Sequence, residues 1–325
     1  MKGAFPWYFP PMEEEYKQIW KSAFLTVDTN VLLDLYRHNN ENRELLLKSL
    51  KDFSGRAWLT RQAAEEFFRH RQKTVNGVSK NFKNAINALE SIVASSRQVA
   101  EWRSLPKDLP LQFSAKITAL VADFVQQIEA AKEAHPDYRS ASSDAVLEAL
   151  CDLFTEVGPF LNAEESVNRA TEGLRRHENE IPPGYCDKKK SKERKYGDYL
   201  IWREVLDFAK AKQLPVVLVT SEKKEDWWEE IDGQIIGPRR EMLRELFEHS
   251  QQRVLIYQTD QFAEMAGQMR GAPVEENVLA EIKVVQESSE DVPRIVEIAV
   301  GSPGLIVRLV GVGRQVVSRG RLERV

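Results

Sequence analysis

The chain has 325 residues, 42% of them hydrophobic, enough for one large domain or two modest ones around a real core. With Lys+Arg 46 against Asp+Glu 50 the net charge is -4, so no global excess of cations marks a nucleic-acid binder, and any grip on phosphate has to come from local patches. Cys151 and Cys186 give neither a disulfide framework nor a zinc-ligand spacing, and no apolar run is long enough to span a bilayer or serve as a secretory signal; the expectation is a soluble protein in a reducing cytoplasm.

Residues 1–22, rich in aromatic residues and proline, read as an extension ahead of the first strand. "AFLTV", just before Asp28, is a continuous apolar run of the kind that forms a strand buried on both faces. A helical pattern follows over Val31 to Arg37, then a shorter strand candidate, "RAWLT", ending at Thr60, and a helix over Gln62 to Val75. From about Val75 to Glu180 the pattern is helical without a strand signal. Phe82, Ile86, Leu89 and Val93 lie on one stripe. Ile117, Leu120, Val121, Phe124 and Ile128 lie on a second, and Val146, Leu150, Leu153 and Val157 on a third. The three stripes read as core.

A helix over Tyr199 to Lys210 precedes "LPVVLVT", a strand ending at Thr220, and a helix over Arg239 to Phe247 precedes "RVLIYQT", a strand ending at Thr259. Strands alternating with helices predict a parallel sheet wound by right-handed crossovers. The expected organisation is an extension at 1–22, an α/β domain at 23–270 with a helical insertion at about 76–180, and a small β-rich appendage at 271–325. In the appendage, Arg294 to Val300 and Leu305 to Val310 flank the turn "GSPG", and Val312 to Ser318 is a further strand candidate. Its arginines (Arg308, Arg314, Arg319, Arg321 and Arg324) read as solvated surface.

Active groups in open α/β sheets gather at the carboxyl ends of the strands. Asp28 stands at such an end. Taken alone it is a strand-end or helix-cap residue; taken with other acids at the same edge it is a ligand. Glu66 follows Ala63 by three residues and precedes His70 by four, so one helix face presents it, whereas its neighbour Glu65 points about 100° away and is rejected. Asp198 opens an amphipathic helix, and Thr220, Ser221, Glu222 and Asp226 follow a strand end. Asp187 heads a basic run with Lys188, Lys189, Lys190 and Lys192, which reads as a solvated loop unless it lies beside a carboxylate cluster, where its cations would grip a phosphodiester. Trp227 and Trp228 read as packing. Like charges brought together need a counter-charge, and hard oxygen donors select Mg²⁺ or Mn²⁺.

"VDTNVLLDLYR", "QAAEEFFRHR", "IPPGYCDKKK", "YGDYLIW" and "VTSEKKEDWW", in this order, resemble a PIN domain nuclease, in particular the bacterial PIN-like group with a helical insertion and a proline-glycine turn before its third acid. The likeness spans roughly Phe24 to Ala266. It implies a metal-dependent endonuclease acting on nucleic acid, RNA more often than DNA, with a toxin-like or antiphage-defence setting and a protein partner or inhibitor. Carried over, Asp28, Glu66, Asp198 and Glu222 become the catalytic and metal-binding acids, and Asn30, Thr220 and Ser221 their polar support. Glu222 stands where the family more often has Asp. Its extra methylene moves the carboxylate, so Asp226 remains the alternative fourth acid, with Glu222 favoured because it directly follows Thr220 and Ser221.

Two rivals follow from the same residues. A phosphatase needs a second Asp two positions after the first, and Asn30 occupies that place. A degenerate module that binds nucleic acid or protein without cleaving is kept open by Glu222. No Gly-x-x-x-x-Gly-Lys loop supports an NTPase. Oligomeric state is not legible.

Overall fold

The computed structural model describes residues 1–99, 106, 108–186 and 196–288, and, as strand backbone, 294–299 and 306–311. The chain begins with α1 (Glu13–Ser22), whose buried Trp20 stacks on Phe262 at 5.8 Å, so the end of the expected extension joins the core. Next come β1 (Phe24–Val27), α2 (Thr29–Asp34), α3 (Asn40–Lys51), β2 (Trp58–Leu59) and α4 (Arg61–Val99). They are followed by α5 (Asp108–Ala134), α6 (Ala145–Leu153), β3 (Glu156–Val157), α7 (Ala163–Glu178), α8 (Gly197–Lys212) and β4 (Val216–Thr220). The remaining elements are β5 (Trp228–Ile231), β6 (Gln234–Pro238), α9 (Arg240–Ser250), β7 (Val254–Gln258), α10 (Thr259–Met269), α11 (Glu276–Ser288), β8 (Arg294–Ala299) and β9 (Ile306–Gly311).

The sheet is parallel and mixed α/β, as the apolar runs predict. Its order is β1-β4-β7, with Thr26 level with Leu218 and Leu218 level with Ile256. All five residues of β4 are buried, as a central strand covered by helices on both faces requires. On the far side of β1, Leu25 N donates to Arg56 O at 2.8 Å and bridges Ala57, so β2 continues the layer. Because the strands run the same way, Asp28, Arg61 and Ser221 all leave the sheet at one edge.

Several expectations need correction. The stretch read as strand-free contains β3, two residues lying parallel to β2; a strand that short carries no periodicity. Val157, assigned to the third helical stripe, belongs to β3 and is 38% exposed. The helix over Gln62 to Val75 continues unbroken as the 39-residue α4 and pairs with the 27-residue α5 as a hairpin. At 1.5 Å per residue α4 is about 58 Å long and overhangs the sheet. The first two stripes meet each other rather than a core: Phe82, Ile86, Leu89 and Val93 are half-buried, and on α5 Leu120 and Phe124 are exposed while Val121 is buried.

An antiparallel hairpin, β5–β6, turns at Asp232 and Gly233, both with positive φ. In the appendage β8 pairs antiparallel with β9, Arg294 level with Gly311, as the two β-rich runs predict. The third candidate strand there, its GSPG turn and all its arginines but Arg308 lie outside the described residues. Among the described residues no helix is long and apolar enough to cross a membrane.

Candidate active site

Asp28 ends β1 and caps α2. Its Oδ1 accepts from Thr29 N at 2.6 Å and its Oδ2 from Thr220 Oγ1 at 3.1 Å. The carboxylate that caps the helix also lines a cavity. Burial, with Asp198 and Glu66 as like-charged neighbours, pushes its carboxyl up to about 7.

Glu66 reaches the same cavity from α4, and Glu65 is exposed. Gln62 Nε2 donates to Glu66 Oε1 at 2.6 Å, and Thr29 Oγ1 to Oε2 at 3.3 Å. The start of α4 is itself pinned by Glu204 of α8, which accepts from Arg61 N at 2.7 Å and Gln62 N at 3.1 Å and so satisfies two of the helix's free donors. Gly197 passes so close that a Cβ there would lie 2.8 Å from Glu66 Oε1.

Asp198, in the first turn of α8, accepts from Trp227 Nε1 at 3.4 Å. It packs beside Gly184, where φ is +98 and an added Cβ would lie 3.3 Å from Asp198 Cβ, which explains a glycine in the Pro-Pro-Gly turn. Asp226 secures that turn from below: fully buried, it accepts from Gly184 N at 2.9 Å and Cys186 N at 3.0 Å. It does not line the cavity.

Glu222 does. Asn30 Nδ2 donates to its Oε1 at 3.3 Å, and Lys224 Nζ stands 2.9 Å from its Oε2, an atom that accepts no well-formed hydrogen bond. Burial and the charge of Asp198 push Glu222 up to about 8 against the pull of Lys224. Of the expected supporting residues, Thr220 bonds Asp28 and Asn30 bonds Glu222. Ser221 turns elsewhere, donating to Asp34 Oδ2 at 2.8 Å.

The four acids line one cavity of about 420 Å³. Away from them it continues between α2 and α4, past Arg37, His70, Lys73 and Asn81. The last three fall four, seven and fifteen residues after Glu66 on one face of α4. That helical spacing was open to reading once Glu66 was chosen, and it gives a polar wall that carries Lys73 and that the basic loop had overshadowed. Glu204 carried no such signal, because its partners Arg61 and Gln62 are distant in sequence; Lys224 stands two residues from Glu222, but its approach to Asp198 is set by the fold. The loop itself, Asp187 with Lys188, Lys189, Lys190 and Lys192, lies outside the described residues. A second cavity of about 330 Å³, lined by Trp7, Tyr16, Phe247 and Tyr257, contains no carboxylate.

Among the described residues, no three Asp, Glu, His or Cys side chains are drawn together into a ready-made metal cluster. The donor set nevertheless fits a hard divalent ion. Its oxygens converge on one cavity, two of its carboxyls are pushed toward the neutral form by burial and like-charged neighbours, and Mg²⁺ is commonly held by one or two carboxylates with water completing the shell.

A family model described as a PIN-like domain matches residues 24–242, from β1 through all four acids into α9. No curated protein and no solved structure matches the chain significantly.

Proposed function

Because the chain belongs to the PIN-like domain family, we propose that it is a metal-dependent nuclease that hydrolyses phosphodiester bonds, with RNA favoured over DNA. PIN domains are generally nucleases; the observation that supports this reading in the present chain is the convergence of Asp28, Glu66, Asp198 and Glu222, from four separate segments, on one cavity with cations along its wall.

In this reading Asp28, Glu66 and Asp198 hold one or more Mg²⁺ or Mn²⁺ ions. A bound ion would supply Lewis acidity, lowering the pKa of an attacking water and stabilising charge on the phosphate. The chain's own residues prepare the rest. Thr220 and Thr29 fix the Asp28 carboxylate and Asn30 orients Glu222. Arg37, His70 and Lys73 bind the phosphates of a strand lying between α2 and α4, and the basic run of Asp187 with Lys188, Lys189, Lys190 and Lys192 adds to that grip. Substrate preference and a toxin-like or antiphage role rest on the family likeness, and a cytoplasmic setting on the sequence reading of its two cysteines.

The absence, among the described residues, of a closed three-acid cluster favours one rival, a module that binds nucleic acid without cutting. Labelled RNA, single-stranded DNA and duplex DNA, each with Mg²⁺, Mn²⁺ or EDTA, separate the two. The nuclease reading expects RNA cleavage that EDTA abolishes. Binding without cleavage supports the rival, and cleavage that persists in EDTA contradicts the metal mechanism.

A further inference from the structure

Lys224 reaches two of the four acids from a fixed base. Its carbonyl accepts from Trp227 N at 3.0 Å and from Trp228 N at 3.2 Å. Trp228 Nε1 donates to Glu222 O at 2.6 Å, and Asp226 ties the same turn to Gly184 and Cys186. With both tryptophans at 1% exposure or less, the segment from Glu222 to Trp228 is anchored at both ends. From it the Lys224 side chain, 23% exposed, carries its ammonium to 2.9 Å from Glu222 Oε2 and 3.7 Å from Asp198 Oδ2.

That ammonium therefore lies against two of the four acids, in the kind of position a second ion takes in centres that use two. Glu222 is turned to meet it, since Asn30 holds its other oxygen. The same contact gives a reason for Glu rather than Asp at this position, because the longer side chain brings the carboxylate to the lysine. Two-ion centres place two cations about 3.5–4 Å apart on opposite sides of a reacting phosphate; a divalent ion entering beside Glu222 would face the lysine's charge at short range.

We propose that Lys224 replaces a second metal ion, so that the centre takes a single divalent ion on the Asp28, Glu66 and Asp198 side while Lys224, held by Glu222, supplies the other positive charge. This rests on the nuclease reading above. Removing Lys224 opens a place for another ion.

The test counts ions in the full-length chain. Metal-free protein is titrated with Mn²⁺ alone while free Mn²⁺ is followed by its paramagnetic resonance signal, for the wild type, Lys224→Met and Lys224→Arg, with circular dichroism as the check on folding. The expected counts are one ion for the wild type, two with mutual magnetic coupling for Lys224→Met, and one for Lys224→Arg. Two ions in the wild type overturn the proposal, as does a single ion in folded Lys224→Met; Lys224→Gln takes the place of Lys224→Met under the same criteria if the latter does not fold. No bound ion in any of the proteins overturns the metal centre itself, and with it the nuclease reading, an outcome distinct from a second ion in the wild type.

Discussion

Two regions of this molecule bury carboxylates, and they do it in opposite ways. Where α4 meets α6, Asp144 is buried and fully engaged: it accepts from Tyr36 Oη at 2.8 Å, from Arg71 Nε at 2.9 Å and, as a helix cap, from Leu147 N at 2.9 Å. At the sheet edge, Asp28, Glu66, Asp198 and Glu222 face one another across a cavity, and Asp28 and Glu222 are pushed up to about 7 and about 8. A paired buried acid fastens two helices. A cluster of like charges with too little counter-charge does the reverse, and leaves a place where a cation lowers the energy of the fold.

The sharpest way to break that contrast is at Arg71. Replacing it with Met leaves Asp144 buried without its charge partner, so a loss of about 3–5 kcal/mol in denaturant unfolding is expected. Asp28→Asn, equally buried, should act in the opposite direction at neutral pH, stabilising the metal-free protein by roughly 1–3 kcal/mol because a repelled charge is removed. Equal destabilisation by the two changes, read from their urea midpoints, would erase the distinction between the regions.

A smaller effect sharpens the picture of the cavity's outer wall. Lys73 is exposed on the face of α4 that lines the groove. If it contacts one phosphate, Lys73→Gln should weaken binding of single-stranded RNA across sequences and lower the slope of log affinity against log salt by about 1. An unchanged slope would make Lys73 an ordinary solvated lysine.

The acid edge was more legible in the sequence than the rest of the molecule, and the reasons are physical. Each main strand is a continuous apolar run that stops at a polar residue, so strand ends and candidate ligands are marked by the same signal. Helix geometry alone separated Glu66 from Glu65. What escaped was set by tertiary context. β3 is too short to show a period, and α4 runs through a stretch that had been divided into separate helical patterns. The stripes of α4 and α5 looked like core because an apolar face does not reveal whether a whole domain or a single partner helix will cover it; Leu120 and Phe124 are exposed. The hairpin β5–β6 was available in the dipeptide Asp232-Gly233, a strong turn signal that went unused beside the more conspicuous tryptophans. Those tryptophans are packed as expected, yet their indole nitrogens also support Asp198 and the Glu222 backbone.

The claim that the acid edge is built for a cation is tested most directly by thermal unfolding of wild type and Asp28→Asn between pH 4 and 8.5, with and without Mn²⁺. Asp28 and Glu222 have folded values above their ordinary 3.8 and 4.5, so folding favours their protonated forms. Stability from these groups is therefore present at low pH and is lost as pH rises through about 7 to 8. The account predicts that the metal-free wild type loses several degrees of Tm across this window, that Mn²⁺ restores them at the alkaline end, and that Asp28→Asn starts higher there and responds less to both pH and metal. A wild type whose Tm is flat from pH 4 to 8.5 and indifferent to Mn²⁺ would contradict it.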